Sequence, residues 1–92
     1  MARAARQRPK RLGLKVRQIR RALDLTQEEL IDLLRRSGVK GLVQGSVSAY
    51  ESNRREPSLI FLLMLARAAG VSVDVLIDDK LDLPEKLRGR WR

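Results

Sequence analysis

Apolar residues recur along this chain at helical rather than strand spacing. Leu12, Val16, Ile19 and Leu23 fall on one stripe with basic residues on the other face, which predicts a first helix. Thr26 offers a side-chain oxygen at a helix start, and Glu29 three residues on completes a capping box. The helix it opens carries Leu30, Ile31, Leu33 and Leu34 and fades at Ser37-Gly38. Gly38, Gly41 and Gly45 then punctuate a loop. A short third helix follows, with Val47 and Tyr50 one turn apart, Ser46 or a neighbour at its start, and Asn53 as a left-handed stop. Pro57-Ser58 opens a fourth helix that runs to about Ala69 and stops at Gly70. Ser72 caps a last short helix containing Val75 and Leu76. The expectation is an all-α, compact five-helix domain over residues 11–78. A basic flexible arm (1–10) precedes it and a C-terminal tail (79–92) follows.

Composition sharpens this picture in two ways. Aromatics are 3% of the chain against 43% hydrophobic residues, so aliphatic side chains must fill the core, which suits helix-on-helix packing. No apolar run approaches the roughly 20 residues that span a bilayer, and the basic N-terminus lacks the apolar stretch of a secretory signal. A cytoplasmic, nucleoid-associated protein is expected. The charge of +9 points to a polyanionic partner, whether DNA, RNA or an anionic membrane surface. Every charged side chain before Asp24 is basic: Arg3, Arg6, Arg8, Lys10, Arg11, Lys15, Arg17, Arg20 and Arg21. Such one-signed blocks often serve as interaction arms, the plainer reading being a solubilising surplus. A targeting segment is disfavoured because a core-helix pattern begins inside the block.

The order of these signals resembles the Cro/phage-repressor (XRE-type) helix-turn-helix family over about residues 12–78. The resemblance is carried by Arg20 ahead of Gln27, Leu25-Thr26-Gln27-Glu28-Glu29-Leu30, Ser46-Val47-Ser48-Ala49-Tyr50-Glu51, Asn53 through Leu59, and Leu65-Ala66 through Gly70-Val71. No one piece is specific; the ordered set is. It implies a lambda-repressor-like fold and binding of double-stranded DNA. It gives Gln27, at a helix N-terminus where an anion is favoured, the role of contacting a phosphate and bracing the recognition helix. It pairs Arg20 with Glu51 in a structural ion pair. It turns Gln44, Gly45, Ser46, Ser48 and Ala49 toward the major groove, where Gln44 suits adenine and Ala49 a thymine methyl. The competing reading makes the serines caps rather than readers. Asn53, Arg54 and Arg55 follow where such proteins grip the DNA backbone.

Two departures from the family stand out. The connection through Ser37-Gly38-Val39-Lys40-Gly41-Leu42-Val43 is several residues longer than the usual tight turn, which loosens the placement of Gln44. The fourth helix is unusually apolar. With Leu59, Leu62, Leu63 and Ala66 facing the core, Ile60, Phe61 and Met64 need other cover. The long loop through Leu42 and Val43, the tail through Leu81, Leu83 and Leu87, or a second copy would supply it. A homodimer through this helix or the tail is favoured.

Function is then expected to be sequence-specific transcriptional regulation, as a repressor. An antitoxin holding a toxin-like protein on the apolar helix, and charge-driven binding without sequence preference, are the competing readings. No enzyme and no cofactor are expected, since histidine and cysteine are absent and no phosphate-binding glycine motif occurs. Asp74, Asp78, Asp79 and Asp82 cluster, but their mixed spacing reads as a solvated helix end rather than a metal site.

Overall fold

The computed structural model describes residues 8–85 and 87. The greater part of the expected arm, and the tail beyond Leu87, lie outside the described residues. These residues form five helices in order: α1 (Leu12–Ala22), α2 (Gln27–Arg36), α3 (Ser46–Glu51), α4 (Leu59–Ala69) and α5 (Val73–Ile77). Among the described residues there is no strand, and no helix is long and apolar enough to cross a membrane.

Local signals set the helix ends. The Thr26 hydroxyl accepts from the Glu29 N–H at 3.0 Å and the Glu29 carboxylate accepts from the Thr26 N–H at 2.8 Å, closing the expected capping box. Ser58 caps α4 through the Phe61 N–H, so the Pro57-Ser58 pair opens this helix and Leu59 is its first residue. Ser72 occupies the cap position of α5 without a side-chain capping bond. The first three helices close alike. Asp24, Gly38 and Asn53 take left-handed backbone (φ 61, 101 and 63). The following N–H then reaches back to the carbonyl of Arg20, Leu34 or Ala49. Asn53 is therefore the left-handed stop that its side-chain chemistry suggested.

α3 packs against both α1 and α2, and α5 against α1 and α4. One cluster joins Leu12, Val16 and Ile19 of α1, Leu30, Ile31 and Leu34 of α2, Val47 and Tyr50 of α3, and Leu76 of α5. The core stripe of α4 is Phe61, Leu62, Leu65, Ala66 and Ala69. This corrects the expected register. Phe61, at 0% exposure, stacks edge-on against Tyr50 at 4.9 Å between ring centroids and is unavailable to a second copy. Leu59 instead stands 80% exposed. The buried residues recur at spacings of three and four from Phe61 onward, and Leu59 in the first turn lies outside that stripe. Met64 packs on the cluster half-buried, leaving Ile60 as the member of the expected dimer set that is exposed. Cover for the core comes from within the chain: Val39 and Leu42 of the long loop join it, and Leu83 and Leu87 of the tail pack on it.

Lys15 is the second correction. Expected on the basic outer face of α1, it is fully buried. Its ammonium donates to the carbonyls of Val75 at 2.8 Å, Asp78 at 2.9 Å and Leu81 at 2.7 Å. Three donors meet three acceptors, which is what allows the charge to be inside. The segment after α5 is thus bonded to α1, and the expected boundary between residues 78 and 79 falls inside this packed connection.

Candidate nucleic-acid interface

The C-terminal end of α3 is held from several directions. Arg20 of α1 makes a two-pronged pair with Glu51, Nε to Oε2 at 2.6 Å and Nη2 to Oε1 at 3.2 Å, both side chains largely buried. The same guanidinium donates to the Leu25 carbonyl at 3.0 Å, so it also ties the α1–α2 turn. The Gln27 amide donates to Glu51 Oε1 at 3.1 Å. Gln27, at the first position of α2, is thereby a strut onto α3. Glu51 accepts three N–H groups in all, which satisfies a carboxylate that has left water.

Just past Glu51, Asn53 turns its amide toward the start of α1. Its Oδ1 accepts from the Gly13 N–H at 3.2 Å, and its Nδ2 donates to the Lys10 carbonyl at 3.4 Å. Gly13 is required by this approach: a Cβ there would lie 2.6–2.7 Å from the Glu51 and Tyr50 carbonyls and from Asn53 Oδ1. Asn53, expected as a backbone clamp, thus serves α1. Arg54 and Arg55 are exposed beside it, Arg54 Nε donating to the Ser52 hydroxyl at 2.9 Å.

The N-terminal end of α3 is closed only locally. Gly45 sits at φ 89, ψ −9, the third position of a type II turn, in backbone that an L side chain rarely adopts. The Ser46 N–H donates to the Val43 carbonyl at 3.0 Å, and the Val43 N–H donates back to the Ser46 hydroxyl at 2.9 Å. This reciprocal pair corrects the reading of Ser46 as a base contact, since at 1% exposure its hydroxyl is spent inside the turn. Ala49 is buried as well, which withdraws its methyl from the exposed set. Gln44 and Gly45 are exposed and Ser48 is half-buried. Upstream, Arg35 Nε donates to the Leu42 carbonyl at 3.2 Å and pins the loop to α2. Lys40 is exposed on that loop.

The structure therefore brings together a helix, a preceding turn and a following arginine pair. The two-helix unit α2–α3 is joined by a turn and braced by a first helix, and the helix-turn-helix family profile matches residues 16–76. The chain belongs to the XRE-type helix-turn-helix family of DNA-binding proteins. Among relatives, it is 35% identical over 63 residues to the uncharacterized HTH-type transcriptional regulator YobD of Bacillus subtilis (strain 168), covering 68% of this chain and 51% of that protein. The chain thus spans about half the length of the curated relative it matches. No solved structure matches it significantly.

Two members of the aspartate cluster expected as a solvated helix end, Asp79 and Asp82, are instead bonded to the start of α1. α1 has no side-chain cap of its own, its N-cap position being Arg11. Asp79 instead holds the chain just ahead of the helix from beyond α5, its carboxylate accepting from the Lys10 N–H at 2.8 Å and the Arg11 N–H at 3.0 Å. Arg11 in turn donates to the Asp79 carbonyl at 2.7 Å and to Asp82 at 2.6 Å. The backbone N–H bonds hold the Asp79 carboxyl below its ordinary pKa, and the Arg11 hydrogen bond does the same for Asp82. The signal for a remote partner was the run Arg8-Pro9-Lys10-Arg11, which offers no Ser, Thr, Asp or Asn ahead of Leu12.

Proposed function

We propose that this protein is a sequence-specific transcriptional regulator, a repressor that sets α3 and its preceding turn into the DNA major groove as a homodimer. The observation that carries this reading is the three-way fastening of Glu51 by Arg20 and Gln27, which fixes one end of α3 while Gln44 and Gly45 stay exposed at the other. Arg54 and Arg55 flank that fixed end as phosphate grips, and Gln27 adds a phosphate contact at the N-terminus of α2. A charge of +9 supplies the long-range attraction. Base reading then falls on Gln44, Gly45 and Ser48. The dimer face is the exposed apolar set Leu59, Ile60 and Ile77, in place of Phe61. The cytoplasm is the matching location.

Selection of bound duplexes from a random pool tests the reading. Enrichment of a two-fold symmetric site is expected, and an unenriched pool would leave binding by charge alone. An antitoxin is the second reading, favoured by the same exposed Leu59, Ile60 and Ile77. Co-expression with neighbouring genes separates the two: a stable complex that covers this face would favour the antitoxin.

A further inference from the structure

We infer that Asp79 is a positioning residue for DNA binding, acting through α1 on the end of the recognition helix. The inference rests on the reading of α3 as the DNA-reading element. Two remote residues hold the backbone N–H groups where the chain enters α1. Asp79 takes those of Lys10 and Arg11, and Asn53 takes that of Gly13. Asn53 also holds the Lys10 carbonyl, so Lys10 is bonded on one side to the segment after α5 and on the other to the residue that stops α3. A continuous path of hydrogen bonds thus runs from Asp79 through Lys10, just ahead of α1, to Asn53, beside Arg54 and Arg55.

Lys15 and Arg11 make this path stiff rather than incidental. Lys15 binds three carbonyls that straddle Asp79, at Val75, Asp78 and Leu81, and Arg11 binds the Asp79 carbonyl and the Asp82 carboxylate. Residues 78–82 therefore form a clasp closed over the start of α1. Opening it releases the N–H groups of Lys10 and Arg11 and loosens the seat on which Asn53 rests. The α3 end and its two arginines then lose their fixed position relative to Gln44.

The sign of the effect separates this role from simple electrostatics. Removing an acidic residue from a protein that binds DNA raises its positive charge, and charge alone would tighten binding. The clasp requires the opposite. Asp79→Ala is expected to bind the selected duplex on the order of 2- to 30-fold more weakly, the range for mutations that couple without touching ligand. Asp74→Ala removes the same charge from α5 and should bind equally or more tightly. Amide hydrogen exchange on the free protein should show faster exchange at Lys10, Arg11 and Gly13 in Asp79→Ala alone. Asp79→Asn, which keeps one acceptor and the side-chain shape, should fall between wild type and Asp79→Ala, and it serves if the alanine variant does not fold. Tighter or unchanged DNA binding by the Asp79 variants would overturn the inference, as would unchanged exchange at the three amides. Failure of the wild type to bind any duplex would instead overturn the DNA reading, while exchange still reports on the clasp.

Discussion

The two ends of α3 are built on different principles. Its C-terminal end is fastened by long-range bonds: Arg20 and Gln27 converge on Glu51, and Asn53 joins the start of α1. Its N-terminal end is closed within four residues, by Ser46 and Val43 around a left-handed Gly45. Exposure follows the same division. Gln44 and Gly45 stand free at the locally closed end, whereas a buried ion pair sits at the other. A reader of sequence needs both: one end fixed by the fold, and one whose side chains can differ between proteins without disturbing it.

Breaking the fastened end should cost the most. Glu51→Ala leaves Arg20 in a largely buried position without its partner, and about 3–5 kcal/mol of stability should be lost in chemical denaturation. A loss below 1 kcal/mol would mean that water reaches the pair freely. Gly13→Ala comes next. Helix propensity alone favours alanine by up to about 1 kcal/mol. The added Cβ meets two backbone carbonyls that cannot move aside cheaply, so a net loss of about 2–3 kcal/mol is expected in the same assay. A stabilised variant would show that α1 and α3 stand further apart than described.

The open end should respond in binding rather than stability. Gln44→Ala is expected to leave the melting temperature unchanged while reducing discrimination between the selected duplex and a single-base variant by about 1–3 kcal/mol. Ser46→Ala removes the acceptor for the Val43 N–H and should cost about 1 kcal/mol of stability, with loss of sequence preference following from the displaced turn. The smallest effect is that of acid. Asp79 and Asp82 are held below their ordinary pKa, so the folded state binds their protons less readily than the unfolded chain. Their contribution is present above the ordinary aspartate range and fades as pH falls through the lowered values. Stability measured from pH 6 downward should therefore decline below about pH 4, less so in Asp79→Asn.

The same contrast governs what could be read from the residues. Signals that act within a few positions were legible: the Thr26–Glu29 box, Ser58 at the start of α4, and Asn53 as a left-handed stop. Arg20–Glu51 was legible only through the resemblance, since nothing local says that residues so far apart will meet. Ser46 was ambiguous because a hydroxyl serves equally as cap or reader, and only its turn decides. Phe61 and Leu59 exchanged places because an almost wholly apolar helix offers more than one stripe at helical spacing, and the contact with Tyr50 selects the one that holds Phe61. Lys15 was hidden for a different reason. A lysine on a basic helix reads as solvated, and its three acceptors belong to backbone at the far end of the chain.

The most direct test of the account is a fluorescence-anisotropy titration of the selected duplex and a scrambled duplex, repeated over a range of salt concentrations. Affinity for both should fall linearly on a log–log plot, through the phosphate grips. Arg55→Ala should shallow the slope by about one unit on both duplexes, while Gln44→Ala should remove only the preference between them. Equal affinity of the wild type for the two duplexes, or a preference that disappears with Arg55 and survives without Gln44, would contradict the account.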